Sequence, residues 1–162
     1  MIFQHLAAFI LSLMLWFWAL PAQALDYSPS LSLINSQLRG QDFSGQTLGS
    51  AELSHIDLQE TNFANASLRG AVFSGSNLSK ANFHGADLTN AIADQANFSN
   101  ADLSDAILSD SILLRSVFNG TNITGADFTN AILNGSQTKE LCQRATGVNS
   151  QTSVATRDSL GC

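Results

Sequence analysis

Basic residues are scarce in this chain of 162 residues: seven Lys and Arg stand against thirteen Asp and Glu, a formal net charge of −6. That balance argues against simple nucleic-acid binding, which needs clustered Lys and Arg, and suits a soluble acidic surface. Histidine is scarcer still. Beyond His5 there are only His55 and His84, and neither has a Cys or His neighbour at metal-ligand spacing. The chain contains no Gly-x-Ser-x-Gly elbow, no evident Ser-His-Asp set and no phosphate loop. No catalytic, cofactor-binding or metal-binding residue is therefore expected, and no cofactor. Cysteine occurs twice, as Cys142 and Cys162, both beyond the regular part of the sequence.

Charge is also missing from the N-terminus. Met1 to Leu20 carries no Lys, Arg, Asp or Glu, and Leu6 to Leu20 is apolar apart from Ser12. A spanning helix wants ~20 apolar residues, so this run is short for one. Ala22 and Ala24 supply the small residues of an export cleavage site. Residues 1–24 therefore read as a signal peptide, with a mature chain from Leu25 and membrane contact only through the uncleaved precursor. An uncleaved anchor is the alternative, since the leading segment offers only the α-amino group and His5 where Lys or Arg is usual. Export together with an even cysteine count predicts a disulfide between Cys142 and Cys162, free buried thiols being the other reading.

From Ser36 onward the sequence repeats every five residues. The central position runs Leu38, Phe43, Leu48, Leu53, Leu58, Phe63 and onward to Phe128 and Leu133, and only Ala93 departs from a large apolar residue. Two residues earlier the side chains are small, as in Ala51, Thr61, Ala71, Ala81 and Ala101. Between the two, Asp or Asn is common. A helix would scatter this pattern, because five residues overshoot a turn by ~140°. A flat strand would send alternate Leu and Phe to opposite faces. The chain must turn a corner every five residues, and Gly or Asn at the last position (Gly40, Asn65, Gly85, Asn100) tolerates the positive φ of a type II turn.

Residue classes recur at twenty: Phe43, Phe63, Phe83, and likewise Val72, Ile92, Ile112, Ile132. Four pentapeptides per coil is the solution that keeps these classes apart. Coils stacked ~4.8 Å apart would make about five of them from Ser36 to Gly135, ~24 Å long. Each would bury four large side chains at roughly 1.5–3 kcal/mol apiece, and neighbours would hold each other. An open solenoid end needs covering. Residues 25–35 are expected to cover one end and residues 136–162 the other, beginning with a short helix over Ser136 to Ala145, capped by Ser136 and stopped by Gly147.

Blocks such as Ala81-Asn82-Phe83-His84-Gly85, Ala86-Asp87-Leu88-Thr89-Asn90 and Ala101-Asp102-Leu103-Ser104-Asp105 resemble the A(D/N)LXX repeat of the pentapeptide-repeat family, over about 100 of the 162 residues. The resemblance implies an all-β solenoid, a right-handed quadrilateral β-helix of about five coils with a short helical C-terminal cap. The tail, Leu141 to Gly147 and Thr156 to Cys162, is similar to the tails of lumenal members from cyanobacteria and chloroplasts. That implies a thylakoid-lumen or periplasmic home. Some family members mimic duplex DNA and occupy a topoisomerase. Here the row Asp42, Asn62, Asn82, Asp102, Asn122 carries only two charges and is interrupted by Arg39, Arg69, Lys80 and Arg115, which disfavours mimicry.

Two features depart from the repeat. Ala93 is a core vacancy, filled by a neighbouring Phe ring or open to a small ligand. Val72, Ile92, Ile112 and Ile132 stand at an outward position on one face, with Ile107, Leu114 and Val117 nearby. Strand propensity alone would scatter such residues over four faces, whereas a line of them is an exposed apolar patch. The expected function is a non-enzymatic structural or protein-interaction scaffold. Its partner would be a protein, a second copy or the chain's own tail, meeting Val72, Ile92, Ile112, Ile132 and Leu114. A small-ligand binder, and more remotely a DNA-mimicking topoisomerase inhibitor, are the alternatives.

Overall fold

The computed structural model describes residues 38–162. The expected signal peptide, N-terminal lid and the first repeat residues lie outside the described residues.

Each pentapeptide does the same thing. From Ala51 onward its first residue, small in most units, points inward, the next residue pairs with its counterpart in the adjacent coil, the large residue points inward, and a two-residue turn follows. The Phe43 N–H donates to Asn62 O at 2.7 Å, the Asn62 N–H donates to Gln41 O at 2.9 Å, and the Gln46 N–H closes the turn onto Phe43 O at 3.2 Å. All pairings between coils are parallel and join residues twenty apart. They form four rows, hence four walls. Wall 1 carries Asp57, Asn77, Asn97 and Val117; wall 2 carries Asp42, Asn62, Asn82, Asp102 and Asn122. Wall 3 carries Thr47, Ser67, Asp87, Ile107 and Asp127; wall 4 carries Glu52, Val72, Ile92, Ile112 and Ile132.

The last turn residue has positive φ throughout, at Asn65 (57°) as expected but also at Lys80 (60°) and Arg115 (62°). Stacked pairing thus imposes the left-handed conformation even on residues that pay roughly 1–2 kcal/mol for it. A Cβ on Gly85 would lie 2.6 Å from Asn65 Oδ1 one coil below, so that amide would have to swing aside.

Aromatic rings organise the interior. Phe43, Phe63 and Phe83 stack on wall 2 at 5.5 and 5.0 Å, and Phe73 from wall 4 meets Phe63 and Phe83 edge-on at 6.0 Å. Phe83 then contacts Phe98 at 5.9 Å, and Phe98 stacks on Phe118 of wall 1 at 5.3 Å. The aromatic column shifts from one wall to the next in the coil that contains Ala93. Offset-stacked and edge-to-face pairs of this kind add about 0.5–1.5 kcal/mol each beyond burial. Inward hydroxyls are satisfied as well: Thr61, Ser76 and Thr121 donate to Leu38 O, Leu53 O and Phe98 O at 3.0, 2.5 and 2.7 Å.

Helix α1 spans Gly135–Cys142. It begins one residue before the expected start and is capped by Asn134, not Ser136. The Asn134 oxygen accepts from the Ser136 and Gln137 N–H groups at 3.0 Å, and Gln137 Oε1 accepts from the Asn134 N–H at 2.8 Å. That reciprocal pair fixes the start. The helix ends at Cys142, so Gly147 does not stop it. Gly147 has φ +84°, and a Cβ there would sit 2.7 Å from the Gly125 nitrogen. Its role is close approach to the last corner.

The C-terminal segment replaces the coil that would come next. Gln137 Nε2 donates to Leu113 O and Ser116 O, both at 2.8 Å, and Arg144 donates to Phe118 O. The Gly125 N–H reaches Thr146 O at 2.8 Å, and the Phe128 N–H reaches the Ser159 hydroxyl at 3.0 Å. Ser159 ends the short helix α2, Thr156–Ser159. Cys142 and Cys162 are joined by a disulfide, with Cα atoms 5.7 Å apart.

Candidate interaction face

Wall 4 carries the aliphatic row. Parallel pairing links Glu52, Val72, Ile92, Ile112 and Ile132 in that order. Val72, Ile92 and Ile112 are half-buried between their neighbours, and Ile132 at the end is 49% exposed. Leu114, half-buried, stands at the corner that follows wall 4, one coil above Asp94. Ile107 and Val117 do not join the row: pairing places Ile107 on wall 3 and Val117 on wall 1, where it is 41% exposed. From Val72 onward the row therefore has one aliphatic side chain per coil, with Leu114 at the adjoining corner near the C-terminal end.

A polar cluster flanks it. Asp94 accepts from the Ser74 hydroxyl at 2.6 Å, the Gln95 amide at 3.1 Å and Arg115 at 3.3 Å. The Ser74 hydroxyl, then the Gln95 amide, together with Arg115, hold the Asp94 carboxyl below its ordinary value despite slight desolvation. Polar groups beside an apolar strip are the arrangement of an interaction patch with a wet rim.

The chain's own tail lies elsewhere. Asn149 donates to Asp105 O, Ala106 O and Gly125 O at 3.0, 3.3 and 2.9 Å, and Gln151 reaches Gly85 O at 3.2 Å. These carbonyls belong to the corner between walls 2 and 3. Among the described residues, no hydrogen bond from residues 145–162 reaches wall 4.

Ala93 is 1% exposed. Its carbonyl accepts from the Ser116 hydroxyl, which in turn accepts from the Ala96 N–H at 3.1 Å. Phe73 precedes it in its stack, and the Phe83–Phe98 contact crosses the same coil.

The Asx row on wall 2 is occupied with itself. Asn62 donates to Asp42 at 2.9 Å, Asn82 to Asn62 at 3.1 Å and Asn122 to Asp102 at 3.0 Å. Each Oδ1 also accepts from a backbone N–H two residues on, as Asp102 does from Ser104 at 2.9 Å. None of the four basic residues expected to interrupt it lies in the row: Arg39 and Lys80 stand at the corner before wall 2 and pair with Glu60, Arg69 at the corner after wall 3 pairs with Asp87, and Arg115 at the corner after wall 4 pairs with Asp94. One contact escaped the sequence reading. His84 Nδ1 lies 2.9 Å from Ser104 Oγ, exactly one coil on. Both lie at the corner between walls 2 and 3, beside the residues that Asn149 and Gln151 reach, and no group of three His, Cys, Asp or Glu able to hold a metal is found among the described residues.

The pentapeptide-repeat profile matches residues 56–92 and 96–135 in eight copies. A pentapeptide repeat protein from the thylakoid lumen of Arabidopsis thaliana is 42% identical, over 78% of this chain and 88% of its own, with a TM-score of 0.77. The chain belongs to the pentapeptide-repeat family. A second solved member, from Nostoc PCC 7120, is 25% identical over 62% of this chain and 83% of its own, with a TM-score of 0.52. These pentapeptide-repeat neighbours imply a right-handed quadrilateral β-helix. QnrB1, a plasmid-mediated fluoroquinolone resistance protein, is 18% identical over 68% of this chain and 91% of its own, with a TM-score of 0.29, too distant to inform function. No curated protein matches the chain.

Proposed function

We propose that this pentapeptide-repeat protein is a non-enzymatic scaffold that binds a protein partner through wall 4, in the thylakoid lumen or the periplasm. About five coils form its body, and the disulfide-bonded segment from Gly135 onward closes the C-terminal end. The observation that carries the reading is the placement of Val72, Ile92, Ile112 and Ile132 in one paired row outside the core, on a wall to which residues 145–162 make no hydrogen bond. Walls 1 and 2 satisfy their outward Asx side chains internally; wall 4 presents aliphatic groups that gain nothing from water. The 42% identity to a lumenal protein of Arabidopsis supports the location.

The test is the double substitution Ile92→Ser and Ile112→Ser. Neither side chain fills the interior, so circular dichroism and the denaturation midpoint should stay close to those of the parent. Pull-down from the native lumenal or periplasmic fraction should lose its partner. A partner retained at full strength, with stability unchanged, would return the row to strand propensity alone.

A further inference from the structure

The tail segment inside the disulfide is attached differently from the coils. The coils are held by a continuous interior of Phe and Leu. Between Cys142 and Cys162 the well-buried apolar side chains are only Ala145 and Leu160. Everything else that fixes the segment is polar: Asn149 on three carbonyls of the corner, the Ser150 N–H on Asp105 at 3.1 Å, Gln151 on Gly85 O, and Ser159 on the Phe128 N–H. Water can take over each of these bonds, and segments with few buried apolar contacts open locally long before the whole molecule does. Closing a loop of this length restricts the open state and so favours the docked strap. Cys162 is exposed and Cys142 half-buried.

We propose that the Cys142–Cys162 disulfide is the latch of a releasable strap, and that a dithiol reductant frees residues 146–162 from the corner of walls 2 and 3 while the coils stay folded. A thiolate of the dithiol attacks Cys162 Sγ, and Cys142 leaves as a thiolate and is protonated. The second thiol of the reductant then closes its own disulfide and releases Cys162 as a thiol. Two electrons and two protons pass to the protein, and the dithiol is oxidised. Opening the strap bares the carbonyls of Asp105 and Gly125 and the N–H groups of Gly125 and Phe128, while Ala106 O keeps the Asp127 N–H. Those are edge groups able to pair with an extended segment of another chain.

Hydrogen exchange by mass spectrometry on the full mature chain, before and after dithiothreitol, tests this. Amides of residues 146–160, with Gly125 and Phe128, should exchange on the order of a hundredfold faster when reduced, while residues 58–113 keep their protection. The double variant Cys142→Ser, Cys162→Ser should show the same pattern without reductant. Unchanged protection of the strap on reduction overturns the proposal, and so does loss of protection along the whole stack, which would make the disulfide a staple of the entire fold.

Discussion

At the scale of single residues, neighbours in sequence have opposite fates. Leu103 is fully buried, whereas Asp102 faces out and accepts from the Ser104 N–H and the Asn122 amide. Leu103→Asp should prevent folding, because it places an unpaired carboxylate in the aromatic and aliphatic interior. Asp102→Asn keeps the Oδ1 acceptor and should alter stability by less than ~0.5 kcal/mol in urea titration. Equal losses would mean the inward–outward register is inverted. Ala93→Leu restores the repeat on paper, yet Phe73, Phe83 and Phe98 converge on that coil. It should cost about 1–3 kcal/mol by overpacking; a gain in the same titration would reveal unfilled space. The register was legible because a five-residue period admits one inward set. The His84–Ser104 contact was within reach of the same arithmetic, since the two residues are one coil apart, but a search for catalytic neighbours along the chain passes over it.

At the scale of elements, the coils are alike and the C-terminal segment is not. Repetition makes each coil predict the next, so walls, turns and pairing could be read from spacing. The segment after Asn134 has no repeat, and its fit depends on shape. Asn134, as the last residue of a repeat unit to turn outward, offered a better cap than Ser136 because its oxygen reaches two N–H groups at once. Likewise Gly147 looks like a helix stop in sequence but serves backbone contact with Gly125. Gly147→Ala should detach this corner, since it adds both an unfavourable φ and a clash with backbone. Asn149→Ala removes the donor shared by three carbonyls and should weaken the segment by about 1–3 kcal/mol. Exchange of the Gly125 and Ser153 amides, bonded to Thr146 O and Asn149 O, reads both variants. Protection equal to the parent's would show that the disulfide alone holds the segment.

At the scale of the whole molecule, surface ion pairs such as Arg39–Glu60 and Arg69–Asp87 are largely solvated and contribute little. The acidic side chains matter through hydrogen bonds to the coils. The Ser44 backbone N–H, then its hydroxyl, hold the Asp42 carboxyl below its ordinary value, with Asn62 adding to them. For Asp87 and Asp127 burial is the largest single influence and pushes upward. It is outweighed by Thr89 and Arg69 at Asp87 and by Thr129 and Thr152 at Asp127, so both are lowered. Asp94 is lowered too. A carboxyl depressed in the folded state binds fewer protons there than in the unfolded chain, so its stabilisation is present above the unfolded value of 3.8 and lost as pH falls through the folded one. Thermal midpoints should therefore be flat from about pH 8 to 5 and fall below about pH 4. Asp127 is the informative carboxyl, being 2% exposed between the last coil and the tail. Asp127→Asn should make the acid limb shallower while leaving the neutral plateau near its original height, because the amide oxygen can still accept from Thr129. A midpoint that holds steady to pH 2 in the parent protein would show that these carboxyls titrate alike in the folded and unfolded chains.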